Sequence, residues 1–121
     1  MKKVFLVFFI TTFVFATEQS ELFNNIFPEL LHKNRIRVLT KLKLDPKYFI
    51  IVNSCKKAEL VIGDFKCNKP TFVLDYYEFK DNKNAIGAFY WRKGRPQLRF
   101  RKSNIDKYHL YISKDFEDYL E

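Results

Sequence analysis

At 121 residues the chain is sized for one domain rather than two. With 47% hydrophobic and 18% aromatic residues against three Gly and four Pro, it is neither a disordered nor a fibrous sequence. Twenty-two Lys and Arg against fourteen Asp and Glu give a formal net charge of +8, a basic balance that suits an anionic partner.

Taken in chain order, Lys2 and Lys3 precede an apolar run from Val4 to Val14, interrupted only by Thr11 and Thr12, and Ala16 follows as a small residue. A charged start, a short hydrophobic middle and a small-residue end make a secretory signal peptide, with cleavage expected after Ala16. The run is shorter than the roughly 20 residues a spanning helix needs. Thr17, not Cys, follows the cleavage point, so the product is expected to be untethered by lipid. Residues 1–16 are thus read as the signal peptide and 17–121 as one exported domain, periplasmic or secreted.

In that domain Ser20 is a helix-cap residue, and Leu22, Phe23, Ile26, Phe27, Leu30 and Leu31 form one apolar stripe, which predicts a helix over 20–33. Pro28 lies inside it, so either the helix kinks there or two short helices abut. Strand signals follow at 36–39, 48–52, 60–62 and 71–74. Their apolar character on both faces predicts central strands covered by helices, hence an α/β (or α+β) fold rather than an open sandwich. Two runs, 85–91 and 96–101, flank a loop containing Gly94 and predict a β-hairpin; Ser113 caps a last helix beginning near Lys114. The expected architecture is one small domain with a mixed sheet of about five or six strands, an N-terminal helix, a hairpin near 85–101 and a C-terminal helix.

Cys55 and Cys67 both lie in the exported part, and an oxidising compartment favours their pairing; the short loop they close is worth about 3 kcal/mol in the chain-entropy model. The alternative is two free, buried thiols. A tight hairpin between the second and third runs would separate the sulfurs, so pairing requires the third run to bend back or a non-adjacent strand to intervene. His32 and His109 are too far apart in sequence to complete a zinc site, and no cofactor or metal motif is present.

The densest charge cluster is Arg92, Lys93, Arg95, Arg99, Arg101 and Lys102, interleaved with Tyr90, Trp91 and Phe100. Such a mixture can meet nucleic acid, anionic headgroups, an anionic small ligand or an acidic protein surface; export argues against nucleic acid, and the plain alternative is a solvated hairpin face. Trp91, Arg92, Lys93, Arg95, Arg99 and Arg101 are the candidate partner or anion contacts. Asp64, Asp75 and Glu78 stand near strand ends without a His or nucleophile to make an acid–base pair, so capping or surface roles fit them better than catalysis. Ser54 lacks a nucleophile-elbow context, and no catalytic residue is assigned. Gly63 and Asp64 end the third run at the kind of place where α/β sheets bind ligands.

The segment from Asn84 to Leu120 resembles the closing part of the YfiR-like periplasmic regulator family. The resemblance is carried by Ile86-Gly87-Ala88-Phe89, Gly94-Arg95, Leu98-Arg99-Phe100, Leu110, Ile112-Ser113 and Tyr119-Leu120. It implies a non-enzymatic α/β protein that binds the external domain of a membrane signalling protein, a diguanylate cyclase or a sensor kinase, with disulfides tuning its state. The stretch Ala58 to Asp64 is similar to a strand of one lobe of a periplasmic solute-binding protein. That likeness implies a small-ligand module with a pocket near Gly63, Asp64 and Asp75, completed by a second copy in a homodimer or by a partner.

Overall fold

The computed structural model describes the backbone of residues 11–121 and the side chains from Gln19 onward. The start of the expected signal segment, to position 10, lies outside the described residues; positions 11–16 form the first turns of helix α1 (Thr11–Leu30). Phe23, Ile26, Phe27 and Leu30 of α1, at i, i+3, i+4 and i+7, are all buried. Ser20, expected as the cap, sits inside the helix, because no Gly or Pro between Thr12 and Gln19 stops it from running further back. Pro28 falls in the last turn of a single helix, which closes at Leu30 rather than Lys33.

The closure is a Schellman motif: Lys33 N–H donates to the Pro28 carbonyl (2.9 Å), His32 N–H donates to Glu29 (3.2 Å), and His32 takes φ 56°. Helix α3 (Lys102–Lys107) closes the same way. Leu110 N–H donates to Ile105 (2.9 Å), His109 N–H donates to Asp106 (3.1 Å), and His109 also has φ 56°. Both histidines therefore occupy the left-handed position that usually falls to glycine.

Six strands form one mixed sheet in the order β2-β1-β3-β4-β5-β6: β1 (Ile36–Thr40), β2 (Phe49–Val52), β3 (Leu60–Ile62), β4 (Thr71–Val73), β5 (Ala85–Arg92) and β6 (Arg95–Phe100). The first five are parallel and β6 is antiparallel to β5. This is the expected α/β architecture. Helix α2 (Tyr76–Asp81) was not signalled by periodicity; Asp75 caps it, its carboxylate accepting from the N–H groups of Tyr77 (3.0 Å) and Glu78 (3.1 Å). The predicted final helix is a 3-10 helix, Lys114–Tyr119, capped by Ser113. Among the described residues no helix is long and apolar enough to cross a membrane.

Strand alternation divides the core between two faces. Ile36, Val38, Phe49, Leu60, Ile62, Phe72, Ile86, Phe89 and Phe100 pack beneath α1 and Ile105 of α3. Phe27 and Phe72 meet edge to face at 5.0 Å, and Phe23 and Phe72 at 5.6 Å. The opposite face carries Leu39 and Val61 in one cluster and Val73, Ala85, Ala88 and Tyr90 in another. Here the expectation of helices on both sides is corrected. Among the described residues only α2, through Phe79, covers part of this face, and the connectors 53–59 and 63–70, too short for a helical crossover, cover the rest.

The second and third runs are not a hairpin. β1 lies between β2 and β3, and the connector from β2 doubles back across it, bringing Cys55 to Cys67 in a disulfide with Cα atoms 5.5 Å apart. The bridge ties the two helix-free connectors together over Leu39, Ala58 and Val61. At the other end of the sheet Gly87 permits close packing: a Cβ there would lie 2.5 Å from the Arg99 carbonyl and 2.8 Å from the Phe100 ring.

Candidate functional site

The hairpin is closed by Lys93 (φ 53°) and Gly94 (φ 76°), two left-handed residues whose twist matches that of the flanking strands. The register sets Arg92 opposite Arg95, Tyr90 opposite Gln97 and Ala88 opposite Arg99. Because side chains alternate, Tyr90, Arg92, Arg95, Gln97 and Arg99 emerge on one face, and with Lys93 they line a shallow groove of about 510 Å³ that contains no acidic residue.

The members of this groove are held to different degrees. The Arg92 guanidinium lies 3.8 Å from the centre of the Tyr76 ring, a cation–π contact. Arg92, first as a hydrogen-bond donor and then as a charge, holds the Tyr76 phenol below its ordinary range. Arg99 pairs with Glu121 and reaches the Tyr90 hydroxyl at 3.5 Å; the Glu121 hydrogen bond, opposed by burial, keeps Arg99 more firmly protonated than usual. Among the described residues, Lys93 and Arg95 have no ion-pair partner.

Two of the six candidate contact residues stand apart. Trp91 alternates onto the other face of the hairpin, where it is 42% exposed. Arg101 is a structural clamp. Its guanidinium donates to the carbonyls of Phe79 (2.9 Å), Asn82 (2.9 Å) and Ala85 (3.2 Å) and lies 4.2 Å from the centre of the Phe79 ring. Burial is the main reason its pKa falls below the usual arginine value. Gln97 joins the groove as the alternation of the second arm places it, on the face of Arg95 and Arg99. Tyr76, which contacts Arg92 beside the groove, was not singled out in the sequence, because it comes from a different element and only the packing of α2 brings it there.

The second predicted site lies where the sheet connections diverge: β1 leads to β2 on one side, while β3, β4 and β5 follow on the other. Gly63 (φ 120°) and Asp64 line a hollow of about 310 Å³ with Thr40, Leu74 and Glu78. Asp64, Asp75, Glu78 and Asp81 line an adjacent one of about 680 Å³. Burial, then the charges of Asp64 and Asp75, push the Glu78 carboxyl up. Asp75 is committed to capping α2, the role expected for a carboxylate at a strand end. Among the described residues no group of His, Cys, Asp and Glu could hold a metal ion.

Ser54 accepts a hydrogen bond from Lys57 N–H (3.4 Å), a turn contact rather than a nucleophile's setting. No protein-family model, curated protein or solved structure gives a significant match to this chain, so the site is defined by its own geometry.

Proposed function

We propose that the chain is a non-catalytic regulatory or sensor-adaptor protein of an oxidising compartment, periplasmic or secreted. It docks the β5–β6 groove onto an acidic surface of a membrane-bound signalling protein. The observation that carries this reading is the cross-strand placement of Arg92 and Arg95. Like charges directly opposite each other in an antiparallel pair work against the strands that hold them, and the groove contains no acidic side chain to relieve them. Cations kept together against that cost suit an anionic partner. Arginine and tyrosine on a rigid hairpin are also residue types that anchor interfaces. The Cys55–Cys67 disulfide fits a compartment outside the cytoplasm, and the resemblance of residues 84–120 to YfiR-like regulators supplies the class of partner.

The test is capture of the tagged protein's partner from detergent-solubilised membranes of its own host. Lys93→Glu/Arg95→Glu alters two side chains without ion-pair partners among the described residues, so the melting temperature should hold while capture is lost. Undiminished capture by that variant overturns the assignment.

The hollows at Gly63, Asp64 and Asp75 favour a second reading, a small-ligand module taking a cationic ligand where the strand connections diverge. Its mark would be a ligand-dependent rise in melting temperature abolished by Asp64→Asn.

A further inference from the structure

The hairpin outruns the rest of the sheet. β4 pairs with β5 only as far as Ala88, so residues 89–92 and their partners 95–98 continue as a two-stranded ribbon. At about 3.3 Å per residue, the turn is carried roughly 13 Å past the last pair with β4.

The two faces of this ribbon differ in chemistry. Arg92 stands opposite Arg95 on one face, and Trp91 stands opposite Pro96 on the other. At the base of the apolar face Phe89 is buried, its ring 6.3 Å from that of Phe23. At the tip Trp91 is 42% exposed, and Arg92, Lys93, Arg95 and Pro96 are exposed with it. No acidic residue occurs anywhere from position 85 to position 102.

This arrangement selects its surroundings. A protein surface laid against one face of the ribbon reaches either the arginines or Trp91, but not both. A bilayer entered end-on surrounds the tip and meets both faces at once. Anionic headgroups then lie against Lys93 and Arg95, whose stems can run along the apolar boundary, and an indole settles at the same depth. The turn limits that depth, because the backbone groups of Lys93 and Gly94 need the hydrated headgroup layer and would be unsatisfied in hydrocarbon.

We propose that residues 91–96 form an interfacial anchor, a hairpin tip that enters the headgroup layer of an anionic bilayer with Lys93 and Arg95 on the lipid phosphates and Trp91 beside them. This contact goes beyond the protein surface proposed for the groove. It uses Trp91, which lies outside the groove, and it stands whether or not that protein contact exists.

Trp91 is the chain's one tryptophan, so intrinsic fluorescence reads the tip directly. The probe is a vesicle of phosphatidylglycerol and phosphatidylcholine, compared with phosphatidylcholine alone, added to the protein purified from its own host. Anionic vesicles should shift Trp91 emission to the blue saturably, lipids brominated near the headgroup should quench it, and high salt should reverse both effects. In co-sedimentation Lys93→Glu/Arg95→Glu and Trp91→Ala should each weaken binding by about tenfold. Lys56→Glu/Lys57→Glu makes the same charge change on the connector 53–59 and should leave binding within about twofold. If Trp91→Ala loses its native circular dichroism, the emission shift and the quenching carry the test. An unshifted emission, equal binding to neutral vesicles, or equal loss in the two charge variants would overturn the proposal, the last by making binding a property of overall charge. A protein that ignores vesicles yet loses partner capture in Lys93→Glu/Arg95→Glu would also overturn it, while leaving the groove's protein contact in place.

Discussion

Replacing Arg101 by Met should cost the fold about 2.5–4 kcal/mol while leaving the hairpin groove intact. The native guanidinium donates to three backbone carbonyls, those of Phe79, Asn82 and Ala85, and stacks on Phe79, fastening the end of α2 to the sheet. Each such bond contributes a net ~0.5–1.5 kcal/mol, and a cation–π contact at a half-buried site contributes about 1 kcal/mol. Methionine keeps most of the aliphatic stem but no donor. Water can reach part of the site and rehydrate the freed carbonyls, which holds the sum to the lower half of the range. For a domain of this size, a loss of about 2.5 kcal/mol lowers the melting temperature by roughly 10 °C. Urea denaturation followed by circular dichroism should show a lower midpoint at unchanged slope, and amide exchange in α2 should accelerate more than in β1. A midpoint equal to that of the unaltered protein would refute the clamp. Arg101 would then rejoin Arg92, Arg95 and Arg99 as a contact residue.

Other substitutions test the packing and the caps. Gly87→Ala removes backbone freedom from the unfolded chain, which favours folding by up to about 1 kcal/mol, but its methyl would press on the fixed Arg99 carbonyl. The second effect, typically 1–3 kcal/mol, should win and lower the urea midpoint. His109→Gly relieves a left-handed non-glycine residue at the end of α3 and should raise stability by roughly 0.5–1 kcal/mol in the same assay. Burial raises the Glu59 pKa, but the Lys33 hydrogen bond, the Arg37 amide and both charges outweigh it and leave the carboxyl below its usual 4.5. A depressed carboxyl stabilises the fold above that value, and the contribution is lost as pH falls through the folded pKa. Glu59→Gln should therefore be less stable than the unaltered protein at neutral pH, and the difference should shrink on acidification. A gap independent of pH would show that the carboxylate's charge is not its source.

The sequence by itself determined much of the fold, because its signals are local. The stripe Phe23, Ile26, Phe27 and Leu30 and the β-branched runs at 49–52 and 60–62 declare their own periodicity, so the elements and the α/β class could be read directly. The cationic hairpin face was equally legible, since two-residue alternation and the turn at Gly94 place Arg95, Gln97 and Arg99 side by side whatever the rest of the chain does. Strand order was not, because nothing local places β1 between β2 and β3. That order is set by how strands compete for cover beneath α1, and it alone allows Cys55 to meet Cys67. The separate fates of Arg99, on β6, and Arg101, just past its end, were likewise decided by tertiary packing. One remains in the groove, while the other is drawn beneath the end of α2, where it donates to the carbonyls of Phe79, Asn82 and Ala85.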